Sequence, residues 1–119
     1  MNTGIMGEAR ETVNENNTAL KMKSGGLMVY ATPAMIALAE QAAYKSVEPY
    51  LEEGQGTVGT LMNVKHMAAT PVGMEITAKS ELTSIEGRKL TFKIEVFDER
   101  EKIGEGVHER FIVNNEKFQ

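Results

Sequence analysis

A hydroxyl, a carboxylate and an imidazole recur in this sequence at Thr32, Glu40 and His66, and with Gly59 they are the groups best placed to do chemistry. The trio suits nucleophilic or acid–base work on an electrophilic carbon, since imidazole exchanges protons near neutral pH. Gly59 closes the stretch Gly54-Gln55-Gly56-Thr57-Val58-Gly59, which matches the G-x-G-x-x-G pattern that cradles pyrophosphate. Each residue also has an ordinary structural use. Thr32 precedes Pro33 and could cap a helix, Glu40 could sit beside Gln41 on a narrow polar edge, and His66 could be a strand hydrogen-bonder.

The elements around these residues decide between the readings. Thr32-Pro33 predicts a helix start and Glu48-Pro49 a stop, because the residue before a proline avoids helical geometry. Over the first three turns, Ala34, Met35, Ile36, Ala37, Leu38, Ala39, Ala42, Ala43 and Tyr44 leave hardly any polar face. Such a helix must be wrapped, and Glu40 is a carboxylate where the face should be buried, an expensive place unless it is paired or used.

Downstream the period changes to two. Met74, Ile76, Ala78, Ser80 and Leu82 share one face, then Leu90, Phe92, Ile94 and Val96, then Ile103, Val107, Phe111 and Val113, with Glu105 and Glu109 interrupting the last. Turns are expected at Glu86-Gly87 and Asp98-Glu99-Arg100-Glu101, which gives a three-stranded antiparallel meander. Further strands at about Thr57–Met67 and Glu8–Asn14 complete five strands and one apolar helix. This outlines an α+β hotdog fold, a twisted antiparallel β-sheet wrapped around one central apolar α-helix. Pattern alone leaves a cystatin-like or split-βαβ domain open.

That order excludes a dinucleotide fingerprint, which must follow a strand and open a helix. Here the glycines follow a helix and open a strand. Gly54 and Gly56 are expected to form the turn, whereas Gly59 lies inside the strand, where glycine often marks close approach of a ligand or backbone.

Composition narrows the function classes. The 119 residues make one domain, 1–119, with no cysteine and therefore no disulfide, thiolate metal site or cysteine nucleophile. A net charge of −4 without a basic stripe speaks against nucleic acid. No secretion signal or spanning segment is evident, so a cytoplasmic location away from membranes is expected. His66 and His108 fall in no close-spaced ligand pattern, and neither a metal nor another cofactor is expected.

The motifs T-P-A-M-I-A-L-A-E, E-P-Y-L-E-E-G-Q-G-T-V-G-T-L-M-N-V-K-H-M-A-A-T-P-V-G and G-E-G-V-H-E-R together closely resemble the fluoroacetyl-CoA thioesterase family of hotdog proteins, over nearly the whole chain. The resemblance implies an acyl-CoA thioesterase. Thr32, Glu40 and His66 correspond to its catalytic threonine, glutamate and histidine, and the Gly59 N–H to the group that holds the thioester carbonyl. Arg110 matches an arginine near that site, its other use being an ion pair with a neighbouring glutamate. The segment Leu20–Tyr30 departs from the family's lid, having no phenylalanine, so fluoroacetyl selectivity is not implied.

Eight helical residues rise about 12 Å and seven strand residues span about 23 Å, so one chain cannot bring Thr32 to Glu40 or Gly59 to His66. A homodimer pairing this strand about Met62 and Asn63 would set Gly59 of one chain opposite His66 of the other, forming two composite sites. A hydratase or dehydratase of the same fold, or a non-catalytic acyl-CoA-binding dimer, are the competing readings.

Overall fold

The computed structural model describes residues 1–118. In chain order they form β1 (Met6–Thr12), a short α1 (Ala19–Met22), α2 (Thr32–Val47) continued by a 3-10 turn (Glu48–Tyr50), β2 (Gln55–His66), β3 (Glu75–Glu86), β4 (Lys89–Phe97), β5 (Lys102–Asn114) and a terminal turn α3 (Asn115–Phe118). All five strands join one antiparallel sheet in the order β1-β3-β4-β5-β2. The sheet curls around α2, the hotdog arrangement expected from the element pattern.

Small residues make the wrapping tight. Ala34, Ala39, Ala42 and Ala43 let α2 approach the sheet, and Met35, Leu38 and Val47 fill the remaining space against Ile76, Leu82, Leu90, Phe92, Ile94 and Val96. Each large side chain so buried contributes about 1.5–3 kcal/mol. Gly7 on β1 is needed for the same approach, because a Cβ there would run into the Ala42 carbonyl. Gly87, at φ +62°, turns the β3–β4 hairpin in a conformation that glycine adopts without strain.

Several expectations need correction. The helix is not wholly wrapped: Thr32, Pro33 and Ala37 are exposed, and Ile36, Glu40, Gln41 and Tyr44 are only partly covered. The end of α2 at Val47 is as expected, and the proline at 49 falls in the 3-10 turn that follows, whose geometry tolerates its missing N–H. Gly54 forms the expected turn at φ +83°, but Gly56 belongs to β2, where a Cβ would collide with Asn115.

The largest correction concerns β5. Val107 and Phe111 lie outward and are 41% exposed each, while Gly104, His108 and Arg110 are buried on the inner face. Val107 and Phe111 do not mark the core side of this strand, although Ile103 and Val113 are buried as expected; the inner face carries His108 and Arg110, and at Gly104 it lets Met35 of α2 approach. β2 is an edge strand, bonded only to β5, and its register slips between Gly59 and Leu61, leaving Thr60 as a bulged residue. Among the described residues no helix is long and apolar enough to cross a membrane.

Candidate active site

Thr32 opens α2, yet its side chain does not cap the helix. The N-cap position falls to Ala31, which offers no side-chain bond, and Pro33 sits in the first turn where no donor is missed. The hydroxyl instead meets His66: Thr32 Oγ1 lies 2.7 Å from Nδ1. When that nitrogen is unprotonated the hydroxyl donates to it, the geometry of a nucleophile beside its base.

His66 ends β2 and is held from several sides. Tyr30 stands edge-on to its ring at 6.5 Å between centroids, and the Tyr30 hydroxyl donates to Glu11 at 2.5 Å. Burial pushes the Tyr30 phenol far above its ordinary value, with the Glu11 carboxylate adding to the effect, so it remains a donor at neutral pH. The loop after His66 is fastened by Asp98, whose side chain is inaccessible to solvent. Its oxygens accept from the Thr70 hydroxyl at 2.8 Å and from the backbone N–H groups of Arg100 and Glu101 at 2.7 and 2.9 Å. Burial alone would raise this carboxyl, but those donors outweigh it and hold it below the ordinary value.

Burial pushes the His66 imidazole below its usual range, opposed only in part by the Ala68 backbone. The ring is therefore neutral at pH 7, with Nε2 buried and without a hydrogen-bond partner. A pocket of about 270 Å³ opens beside it, lined by Ala19, Ser24, Val29, Tyr30, Thr32, His66 and Met67–Ala69. The segment without phenylalanine thus forms one wall.

Glu40, Gly59 and Arg110 gather elsewhere, farther along α2 and at the opposite half of β2. Gly59 pairs with Arg110 on β5, whereas His66 pairs with Gly104. Arg110 donates through Nε to Thr57 Oγ1 at 2.8 Å and through Nη2 to the Thr57 carbonyl at 3.0 Å. Its Nη1 lies 3.7 Å from Glu40 Oε2, and its guanidinium carbon 5.6 Å from the centre of the Tyr44 ring. Burial draws the Arg110 pKa down, with Glu40 and Tyr44 opposing; the group stays cationic. The glutamate that pairs with Arg110 is therefore the candidate carboxylate itself.

Glu40 is not buried as the sequence predicts: its side chain is 41% exposed, at the open stripe of α2. Gly59 is packed tightly, since a Cβ there would stand 2.8 Å from Glu40 Oε2, 3.2 Å from Arg110 Nη1 and 3.3 Å from His108 Cε1. Sequence reasoning ranks His108 behind His66 and gives it no place in the site, although Gly104, Gly106, His108 and Arg110 recur with period two. Apolar Val107 and Phe111 drew attention to the other face. Among the described residues, no three histidine, cysteine or acidic side chains could hold a metal ion.

One helix in a curled five-stranded sheet, with a hydroxyl–imidazole pair at one end of its edge strand and a carboxylate–guanidinium pair at the other, is a hotdog-fold arrangement. A Thermus thermophilus protein described as a thioesterase superfamily member matches with a TM-score of 0.90 and 27% identity, over 98% of this chain and 87% of that one. The fluoroacetyl-CoA-specific thioesterase family matches residues 13–116, and the chain belongs to it. The fluoroacetyl-CoA thioesterase of Streptantibioticus cattleyicolor is 44% identical over 90 residues, which cover 76% of this chain but 65% of that protein. A solved fluoroacetyl-CoA thioesterase superposes with a TM-score of 0.93 at 35% identity, over 99% of this chain and 92% of its own, and a variant of that enzyme has been solved with fluoroacetate and CoA.

Proposed function

We propose that this protein is an acyl-CoA thioesterase whose single domain, residues 1–119, works as a homodimer with two composite active sites. The observation that carries the reading is the Thr32 hydroxyl 2.7 Å from the His66 imidazole at the wall of the pocket. That volume lies near the lower end for ligand pockets and suits a short acyl group.

In the proposed reaction Thr32 Oγ attacks the thioester carbon while His66 takes the hydroxyl proton. The Gly59 N–H of the partner chain stabilises the charge that develops on oxygen. His66 then returns its proton to the CoA sulfur as the carbon–sulfur bond breaks, giving free CoA and an acyl-threonine. Water, oriented by Glu40 of that same partner chain, releases the carboxylic acid and restores the hydroxyl.

The dimer is supported by what one chain leaves unfinished. The Thr32–His66 pair and the Glu40–Gly59–Arg110 group gather at opposite ends of β2, and β2 presents a twelve-residue edge with no neighbour beyond it among the described residues. An unpaired edge of that length is a ready template for a second copy of the same strand.

Complementation tests both parts. Thr32→Ala and Glu40→Gln chains, each inactive alone in thiol release from short acyl-CoA substrates, should recover about a quarter of native activity when co-refolded in equal amounts, because half the dimers carry one intact site. No thiol release by the native protein refutes the hydrolase. Native activity without recovery in the mixture refutes the composite site and leaves the hydrolase standing.

A further inference from the structure

The stretch Gly104-Glu105-Gly106-Val107-His108-Glu109-Arg110 contains a second imidazole that the proposed chemistry does not use. His108 is buried on the inner face of β5, 1% exposed, with its ring stacked on Phe92 at 6.0 Å between centroids. Two contacts fix it. Nδ1 lies 2.8 Å from the carbonyl of Leu61, and Nε2 lies 3.1 Å from Arg110 Nη1. A guanidinium has no acceptor, so Arg110 donates and Nε2 carries no proton. The proton sits on Nδ1 and is donated to Leu61.

Each contact reaches a different part of the site. Leu61 is the residue at which the β2–β5 ladder resumes after its slip, so the His108 bond ties down the strand where Thr60 bulges out. Gly59 stands on the other side of that bulge, and the direction of its N–H depends on how the bulge is held. On its other nitrogen, His108 fixes the same Nη1 that faces Glu40. The groups around the ring are thus Arg110 on its own strand, Glu40 on α2, the Leu61 carbonyl on β2 and Phe92 on β4.

We propose that His108 is a positioning residue for thioester cleavage, a neutral clasp that sets the Gly59 bulge and the Arg110–Glu40 pair relative to each other. This rests on the acyl-CoA reading above. Burial, with the Arg110 charge adding to it and Leu61 and Glu40 opposing, holds the ring below its ordinary pKa, which keeps the clasp neutral near pH 7.

Three variants and one spectrum test it. His108→Phe keeps an aromatic ring against Phe92 and removes both nitrogens; His108→Gln offers an amide oxygen near the place of Nε2, and His108→Asn an amide N–H near that of Nδ1. His108→Phe should lower kcat about 30- to 100-fold with KM within about threefold, the signature of misplaced groups rather than lost binding. His108→Gln should recover about tenfold of that loss, His108→Asn less, and long-range proton–nitrogen spectra of the native protein should show the proton on Nδ1. The inference is overturned if His108→Phe keeps kcat within threefold, if the three kcat losses simply follow the fall in Tm, or if the proton is found on Nε2. Were the native protein to release no thiol at all, the acyl-CoA reading would fail and take this one with it; an active native enzyme with an unaffected His108→Phe overturns this inference alone.

Discussion

Replacing Gly59 by alanine separates the position of the Glu40 carboxylate from the stability of the fold. The added methyl would begin 2.8 Å from Glu40 Oε2, about 0.6 Å inside an ordinary carbon–oxygen contact, and also press on Arg110 Nη1 at 3.2 Å. The carboxylate is the end of a flexible side chain that is 41% exposed, so it swings aside at little expense. Gly59 has no positive φ, so alanine meets no backbone penalty and gains about 0.4–1 kcal/mol from its stiffer unfolded chain. Net stability should stay within about 1 kcal/mol of native in urea unfolding. Activity should respond far more, because displacing a catalytic group by about 1 Å costs on the order of 100-fold, or about 2.7 kcal/mol at the transition state. The assay is thiol release under saturating acyl-CoA, beside the unfolding curve. A variant with native stability and kcat within threefold of native would refute the reasoning that Gly59 and Glu40 share one crowded site.

Further outcomes follow from the titrating groups. If His66 acts as a base, kcat/KM should be flat near neutrality and decline only as pH falls through a value below the ordinary 6.5, as read from a pH–rate profile. His66 and His108 both hold off protons in the fold, so the unfolded chain gains protons first; urea midpoints should fall as pH drops below about 6.5 and level off below the folded pKa values, with a smaller drop in His108→Phe. Asp98 acts in a lower window: its depressed pKa lends stability above about 3.8 that is lost as pH falls through its folded value. Asp98→Ala should lose about 2–4 kcal/mol by urea unfolding at pH 7 and loosen the loop behind His66.

The parts of this fold that were legible in the sequence are those where one physical effect dominates. Thr32-Pro33 and the apolar run to Val47 locate α2, and simple alternation locates β3 and β4, because one face of each strand answers to a single core and the other to solvent. β5 misleads because two demands compete on it: its inner face carries His108 and Arg110 beside Gly59, and Gly104 against Met35, leaving Val107 and Phe111 outside. Thr32 shows the same competition on one atom. Its hydroxyl suits a cap, but His66 is brought to it from 34 residues away, and a contact that long has no local signature. The spacing of Thr32, Glu40, Gly59 and His66 could be read from the family pattern and their separation from helix rise and strand length; that Gly59 faces Arg110 while His66 faces Gly104 needed the register.

The sheet order also sets a timetable for folding. β2, which carries Gly59 and His66, gains its neighbour only from β5, with Gln55 facing Asn114 across the ladder. The β3–β4–β5 meander can assemble first through two hairpins, whereas β2 must wait, unpaired, for a strand that begins 36 residues after its own last residue, and β1 for one that begins 63 residues after its own. Closure at that range is slow compared with a hairpin, and during the delay an extended strand with two open edges is exposed to its own kind. The segment that equips the protein for chemistry is therefore the longer of the two strands left open to premature association, and conditions that slow association without slowing β5 docking, such as dilution during refolding, should raise the yield of native protein more than conditions that merely stabilise the helix.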